Sequence, residues 1–383
     1  MDLHFDEFFP AEPAAIWPLL TEPSRMNDWS EAKVSAMATG DGNRADGVGA
    51  YRVVRHPRGS LLHEVVERSE APHHFVYAIF RGAPLLRSHR GEITLTPEGA
   101  GTRMTWRVRA EFAAPGMGKL AERATEPALR RSIRQIASLA QNARPEPLPP
   151  RSRYVDAADL SPLHAPAEAA LAEQRALAER LRSAGDPKQW FARAYVITTE
   201  LQLEALPNVA HREWVLRVIP RFHDYYVRNL ERWESGRRGE VESHWATAFG
   251  IAEKGAKRPR MLARGLMLSI RAHIEEDFPR ALADTYRTHF RGRCDYARFR
   301  ADFVRMGSLF QNIAARLIAE TPPSAVPGWL RLVHDTLPPE ALDVLVSRRI
   351  YDTAAQRLAA FERGARLVQW RSSDERPEDA PRA

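Results

Sequence analysis

From Gly47 to Glu111 apolar and polar positions alternate in five short runs: GVGAYRVVRH, LLHEVVERSE, HHFVYAIF, LLRSHRGEITLTP and GTRMTWRVRAEF. In the last of them Met104, Trp106 and Val108 alternate with Arg103, Thr105, Arg107 and Arg109. A period of two belongs to a strand with one dry and one wet face. The breaks HPRGS, SEAP, RGAP and PEGAG carry Pro and Gly turn chemistry. Their hairpin spacing predicts an antiparallel sheet. Two more runs come earlier, residues 3–9 (LHFDEFF) and Lys33 to Thr39, which brings the sheet to seven strands. Between those two, PAEPAAIWPLLTEPSRMNDWS predicts one or two short helices, with Pro13 at a helix start and Pro18 and Pro23 limiting their length.

The period then changes to that of a helix. From Lys119 to about Gln141, Leu129, Ile133, Ile136, Ala137 and Ala140 share one stripe, and Arg130, Arg131, Arg134 and Gln135 fall mostly on the other. Strand, short helices, six strands and a long helix describe a helix laid across the mouth of a bent sheet. A sheet too curved to meet its helix everywhere leaves an interior suited to an apolar ligand. If Trp106 points inward, strand parity takes Met104 and Val108 with it. Trp17, Trp29, Tyr77 and Ile133 complete the expected lining. Arg52 and Glu64 fall on adjacent antiparallel strands, where they form either a polar anchor or acid/base pair within the interior, or an ordinary cross-strand ion pair.

Residues 142–166 (NARPEPLPPRSRYVDAADLSPLHAP) are rich in Pro and lack apolar periodicity, the marks of a semi-rigid linker. Residues 167–370 show almost no strand signal. AEAALAEQRALAERLRSAG is a helix ending at Gly185, and the next is expected to start with Asp186 as N-cap and Pro187 in its first turn. HREWVLRVIPRFHDYYVRNLERWESG is kinked or restarted at Pro220; four further helical segments follow, the last from Pro338. The fold class is therefore α+β, a seven-stranded antiparallel sheet around a long C-terminal helix (1–143), followed by an all-helical bundle (167–370). The tail 371–383 is charged and aperiodic, and is expected to be disordered.

The formal charge of +7 changes this picture little. Five of the 56 basic residues are Lys and 51 are Arg, spread over both halves with no basic block interleaved with aromatics. Nucleic acid is not an expected partner. The single Cys294 rules out an intramolecular disulfide and fits a reducing compartment. MDLHFDEFFP lacks the pattern of a signal peptide, and no uncharged apolar run reaches the ~20 residues of a membrane span. The reading is cytoplasmic.

The phrases AEPAAIWPLLTEPSRMNDWS, GVGAYRVVR, HEVVE, FVYAIF and GTRMTWRV, in that order, resemble the polyketide cyclase/dehydrase and lipid-transport family of the START-like (SRPBCC) helix-grip superfamily. That resemblance implies the fold and a hydrophobic ligand; the superfamily holds binders, transporters and cyclases alike. The second half resembles a largely actinobacterial all-helical family with the signature Gly-x-Asn-Ala-His-Ile-Asn-x-Asp-Leu-Pro-x-Ala-Leu. Here SIRAHIEEDFPRAL keeps Ala272, His273, Ile274, Asp277, Pro279, Ala281 and Leu282, while Arg271 and Glu275 replace both asparagines.

His273 and Asp277, four residues apart, share one helix face. They could bind a metal together, or the carboxylate could orient the imidazole as a general base. A third metal ligand would come from His244, His223, Asp302 or His334. A satisfied core histidine beside a helix-end carboxylate is the plainer reading, and no metal or other cofactor is assigned. Arg271 and Glu275 form an i,i+4 pair, which is either a changed site or a structural replacement. The leading functional reading is a binder of a lipid- or polyketide-like molecule in the sheet interior, with an accessory helical domain. The alternatives are a cyclase or dehydratase using Arg52, Glu64 and Tyr77, and a metal-assisted hydrolase at His273 and Asp277.

Overall fold

A computed structural model describes residues 1–57, 59–83, 85–148, 154–255, 259–309, 316–320, 328–336 and 351–370. The expected tail from 371, the start of the helix from Pro338 to residue 350, residues 310–315 and part of the linker (149–153) lie outside the described residues. The chain divides into two compact units. The first gathers Met1–Tyr154 with the described parts of 293–311 and 333–351; the second holds Val155–Gly292 with those of 312–332 and 352–383.

In the first unit seven strands, β1 (Asp2–Phe9), β2 (Lys33–Ala38), β3 (Tyr51–Arg55), β4 (Leu61–Glu70), β5 (His74–Arg81), β6 (Leu86–Glu98) and β7 (Gly101–Phe112), form one antiparallel sheet. Its order is β1-β7-β6-β5-β4-β3-β2. Helices α1 (Pro13–Thr21) and α2 (Pro23–Met26) connect β1 to β2, and the long α3 (Met117–Ala140) packs on β1, β7 and α1. The alternation in β7 holds: Met104, Trp106, Val108 and Ala110 are buried, while Arg107 and Arg109 are exposed. Ile133, Ile136 and Ala140 of α3 close over the same cluster, which also takes in Trp17, Trp29, Phe75 and Tyr77.

A segment far along the chain joins this unit. Tyr296–Phe299 forms a 3-10 turn and Arg300–Arg305 a short α-helix. Residues Phe299 to Val304 are all buried, so this stretch, one of the four later helical segments expected from the sequence, is broken into short turns with no exposed face between Phe299 and Val304. Arg298 pairs with Asp41 at 2.7 Å, and Asp295 accepts the Gly42 N–H at 2.6 Å. Arg300 donates to the carbonyls of Thr39 (3.0 Å) and Gly49, and Arg305 pairs with Glu67. Gly49 has φ +83, and a Cβ there would lie 1.9 Å from the Ala297 carbonyl oxygen.

The second unit is helical: α4 (Ser161–Ser183), α5 (Gln189–Ala205), α6 (Arg212–Glu234), α7 (Ser243–Gly255), α8 (Pro259–Arg271), α9 (Phe278–His289) and the late Thr353–Trp370 helix. Helix α4 begins inside the stretch read as linker, with Pro162 in its first turn and the Asp159 carboxylate accepting the Ser161 N–H. Gly185 ends it with φ +63. Helix α5 starts three residues after Asp186, because the Asp186 carboxylate caps the Lys188 N–H and a turn precedes the helix. Helix α6 runs through Pro220 without restarting. No helix of the described residues is long and apolar enough to cross a membrane.

Gly49→Ala combines left-handed backbone with a clash against a fixed carbonyl. It is expected to destabilise the first unit by about 1–3 kcal/mol in denaturant titration.

Candidate functional site

The first unit holds a charge pair at the heart of its apolar cluster. Register places Arg52 of β3 directly opposite Glu64 of β4, and Arg52 Nε donates to Glu64 Oε2 at 2.8 Å. The two residues are 4% and 7% exposed. The guanidinium lies 5.6 Å from the Phe75 ring centre and 5.2 Å from that of Tyr77, and its Nη1 is 3.1 Å from the Met26 sulfur. The Tyr77 ring covers Gly91 on β6: a Cβ at Gly91 would be 2.2 Å from Tyr77 Cζ. Only glycine leaves room for the ring there. Burial and the Glu64 charge push the Tyr77 hydroxyl pKa up. Arg52 and the Trp106 indole N–H oppose that rise, although the indole stops short of a hydrogen bond of normal geometry. Next to Tyr77, His89 accepts the Ile79 N–H at 3.2 Å, and burial lowers its pKa despite Glu64.

The other nominated residues pack in the same apolar cluster. Trp17 donates its indole N–H to Asp46 at 2.6 Å and packs edge-on against Phe75. Trp29 donates to the Leu19 carbonyl at 2.6 Å and meets Trp106 edge-on. Met104, Trp106, Val108 and Ile133 lie in the same cluster. Sequence reasoning missed Met26, Phe75, His89 and Gly91. Strand parity agrees for Phe75, His89 and Gly91, while Met26 ends helix α2, and only the strand register brings Gly91 under Tyr77.

In the second unit the His273 and Asp277 stretch is a π-helical segment, Ala272–Asp277, between α8 and α9. Pro279 explains the distortion, since it has no N–H for the Glu275 carbonyl four residues back and its ring would crowd that oxygen. Arg363 supplies the missing donor at 2.6 Å. Asp277 has no exposed surface and is met on both oxygens. Oδ2 accepts from His273 Nδ1 (3.0 Å) and Trp245 Nε1 (2.9 Å); Oδ1 accepts from Arg280 (2.6 Å), with His244 Nε2 at 3.4 Å. Burial alone would raise its pKa; the close His244 ring, the bond from His273 and the Arg280 charge hold it below the usual carboxylate value. The His273 ring stacks on Phe222 at 3.6 Å, and burial lowers its pKa.

Of the four suggested third ligands, only His244 comes to Asp277. His223 instead contacts Gln174 and Glu173, His334 contacts Asp335, and both His334 and Asp302 belong to the other unit. Nor do His273 and Asp277 converge on a common point, because they bond to each other. Among the described residues, Glu242, His244 and Asp277 bring three ligand atoms within 4.8 Å. Arg280 donates to two of these residues, at 2.7 Å to Glu242 and 2.6 Å to Asp277. A metal ion would have to displace that internal cation.

A model of a family of unknown function, DUF5995, matches residues 167–377, more than half of the chain. The chain belongs to that family. A second model, polyketide cyclase/dehydrase and lipid transport, matches residues 6–141. Solved structures similar to this part include MLL2253 from Mesorhizobium loti (16% identity, 37% of this chain and 97% of that one, TM-score 0.30). Others are a protein from Arthrobacter aurescens (21% identity, 37% of this chain and 86% of that one, TM-score 0.29) and TTHA0849 from Thermus thermophilus (14%, 37% and 97%, TM-score 0.30). Among curated proteins no match is found. Within the DUF5995 match, residues 293–309 pack in the unit of the sheet. The signature's two replaced positions, Arg271 and Glu275, pair with each other at 3.0 Å at the protein surface.

Two measurements check these geometries. Arg52→Met strands the Glu64 charge and is expected to cost about 3–5 kcal/mol in denaturant titration, whereas Arg52→Met with Glu64→Leu returns to within about 1 kcal/mol of wild type or better. His89, His223 and His273 all have folded pKa values below the ordinary 6.5. The unfolded chain therefore takes up protons first as pH falls. Their contribution to stability is complete above pH ~6.5 and declines below it, so unfolding midpoints should drop between pH 7 and pH 5, with a shallower slope in His273→Gln.

Proposed function

We propose that the N-terminal unit binds a hydrophobic or amphipathic small molecule, lipid- or polyketide-like, anchored by Arg52 and Glu64, with the helical unit as an accessory part. The single observation behind this reading is the buried ion pair itself. Replacing such a pair with well-packed apolar residues is often neutral or stabilising, so stability does not account for its presence. A guanidinium has five donors. Here one meets Glu64 and another the Met26 sulfur, and the rest make no hydrogen bond among the described residues. They suit a carbonyl or carboxylate oxygen on a ligand whose apolar body lies against Trp17, Trp29, Phe75 and Trp106. The polyketide cyclase/dehydrase and lipid-transport match over residues 6–141 supports the same class of ligand.

His89 favours a second reading, chemistry within the same interior. Its lowered pKa leaves a neutral imidazole near Glu64 and Tyr77 at neutral pH, and acid–base work needs such groups close together. In that case the ligand would emerge dehydrated or cyclised.

Native mass spectrometry of the full chain purified from its host is expected to show a bound small molecule, released intact. Dodecanoic acid and 1-naphthol are the probes for the emptied protein, and the Arg52→Met/Glu64→Leu variant should bind them at least tenfold more weakly. A chain that carries no small molecule and ignores both probes would refute binding; a chemically altered product would favour the second reading.

A further inference from the structure

The Asp277–His273 bond leaves half of the imidazole unused. An ionised carboxylate only accepts, so His273 Nδ1 carries the hydrogen and Nε2 presents a lone pair. That Nε2 is buried and has no hydrogen-bond partner among the described residues, and the same holds for Gln174 Oε1 and the Tyr226 hydroxyl. Gln174 lies beside His223, and His223, Tyr226 and His273 each pack against Tyr195. Its ring centre is 4.6 Å from that of His273 and 5.9 Å from those of Tyr226 and His223, and Gln174 Nε2 is 3.5 Å from His223 Nδ1. None of His273, Gln174, Tyr226 and Tyr195 is more than 5% exposed.

Folded proteins leave few buried polar atoms unpaired, and each costs about 1–3 kcal/mol. Three on neighbouring residues imply a partner of complementary chemistry. They also lie beside a π-helical segment, a distortion that recurs at functional sites. We propose that they form a second binding site, for a small neutral molecule bearing a hydroxyl group. Its O–H donates to His273 Nε2, and its oxygen accepts from the Tyr226 hydroxyl. An anion would be repelled by the lone pairs of His273 and Gln174. A cation would lose its hydration in an interior whose nearest full charge, Asp277, already has its donors. The aromatic surroundings, Phe191, Tyr195, Phe222 and Trp245, suit a flat apolar body, so phenol is the matching probe.

The test titrates the full chain, labelled with 15N at histidine, with phenol and with toluene, which has the same ring shape but no hydroxyl. Phenol should shift the Nε2 resonance of His273, assigned by its loss in His273→Gln, and toluene should not. Because the readout is local to His273, a molecule held in the first unit does not produce it. Tyr226→Phe should weaken phenol binding at least fivefold without lowering the unfolding midpoint of the ligand-free protein, since it removes an unpaired buried hydroxyl. If His273→Gln does not fold, a crystal of the wild-type chain soaked in phenol locates the molecule instead. Equal responses to the two probes would overturn the proposal. So would no response, which would leave only water at these atoms.

Discussion

A carboxylate out of reach of water has to be neutralised from within the protein, and both units are arranged around that demand. The bare desolvation cost amounts to several kcal/mol per ion, and only close, well-aligned partners offset it. Glu64 meets the need with one guanidinium, itself held between two aromatic rings and a sulfur. Asp277 meets it with bonds from His273, Trp245 and Arg280, drawn from three helical elements. The strand register of the first unit and the π-helical segment of the second are the backbone conditions for these contacts.

The two solutions leave different things free. At Arg52 the surplus is donor capacity, because a guanidinium has more N–H groups than one carboxylate can take. At His273 the surplus is acceptor capacity, because the aspartate has fixed the proton on the far nitrogen. The complementary partner of the first is an oxygen, and that of the second is an O–H. Arg280 also explains why a trio with metal-ligand spacing needs no metal to balance its charge: the cation is part of the chain.

Much of the first unit is legible in the sequence, because a strand period of two fixes both the element and the face. Parity alone assigns Met104, Trp106 and Val108 to one side, and hairpin order puts Arg52 and Glu64 on adjacent strands, while their direct opposition comes from register. Gly91 is not legible, since its partner Tyr77 is set by register, a long-range property that no local pattern encodes. In the second unit the spacing of His273 and Asp277 gives their contact directly. The π-helical turn is not announced by any period, although its cause, Pro279, stands in plain view. Trp245 and Glu242 come from outside this stretch, so sequence distance hides them.

The segment from Asp295 to Arg305 shows most clearly where periodicity runs out. Its sequence reads as an ordinary helix of the second half, yet its side chains satisfy the loop before β3 through Asp41, Gly42 and Gly49. Helical spacing says which side of a helix is apolar; it does not say which unit covers that side. Here the answer lies in charge and backbone. Asp295 and Arg298 complement the Asp41 turn, and Gly49 is a glycine at the one place where the Ala297 carbonyl comes too close for any side chain. Residues that match a DUF5995 model thus complete a unit whose sheet matches a polyketide cyclase/dehydrase model. The loop that these residues brace also carries Asp46, the acceptor for Trp17 in the wall of the interior. A change in the brace would therefore reach Trp17 through two hydrogen-bonded steps, which ties the late segment to the packing of the first unit's interior as well as to the loop it covers.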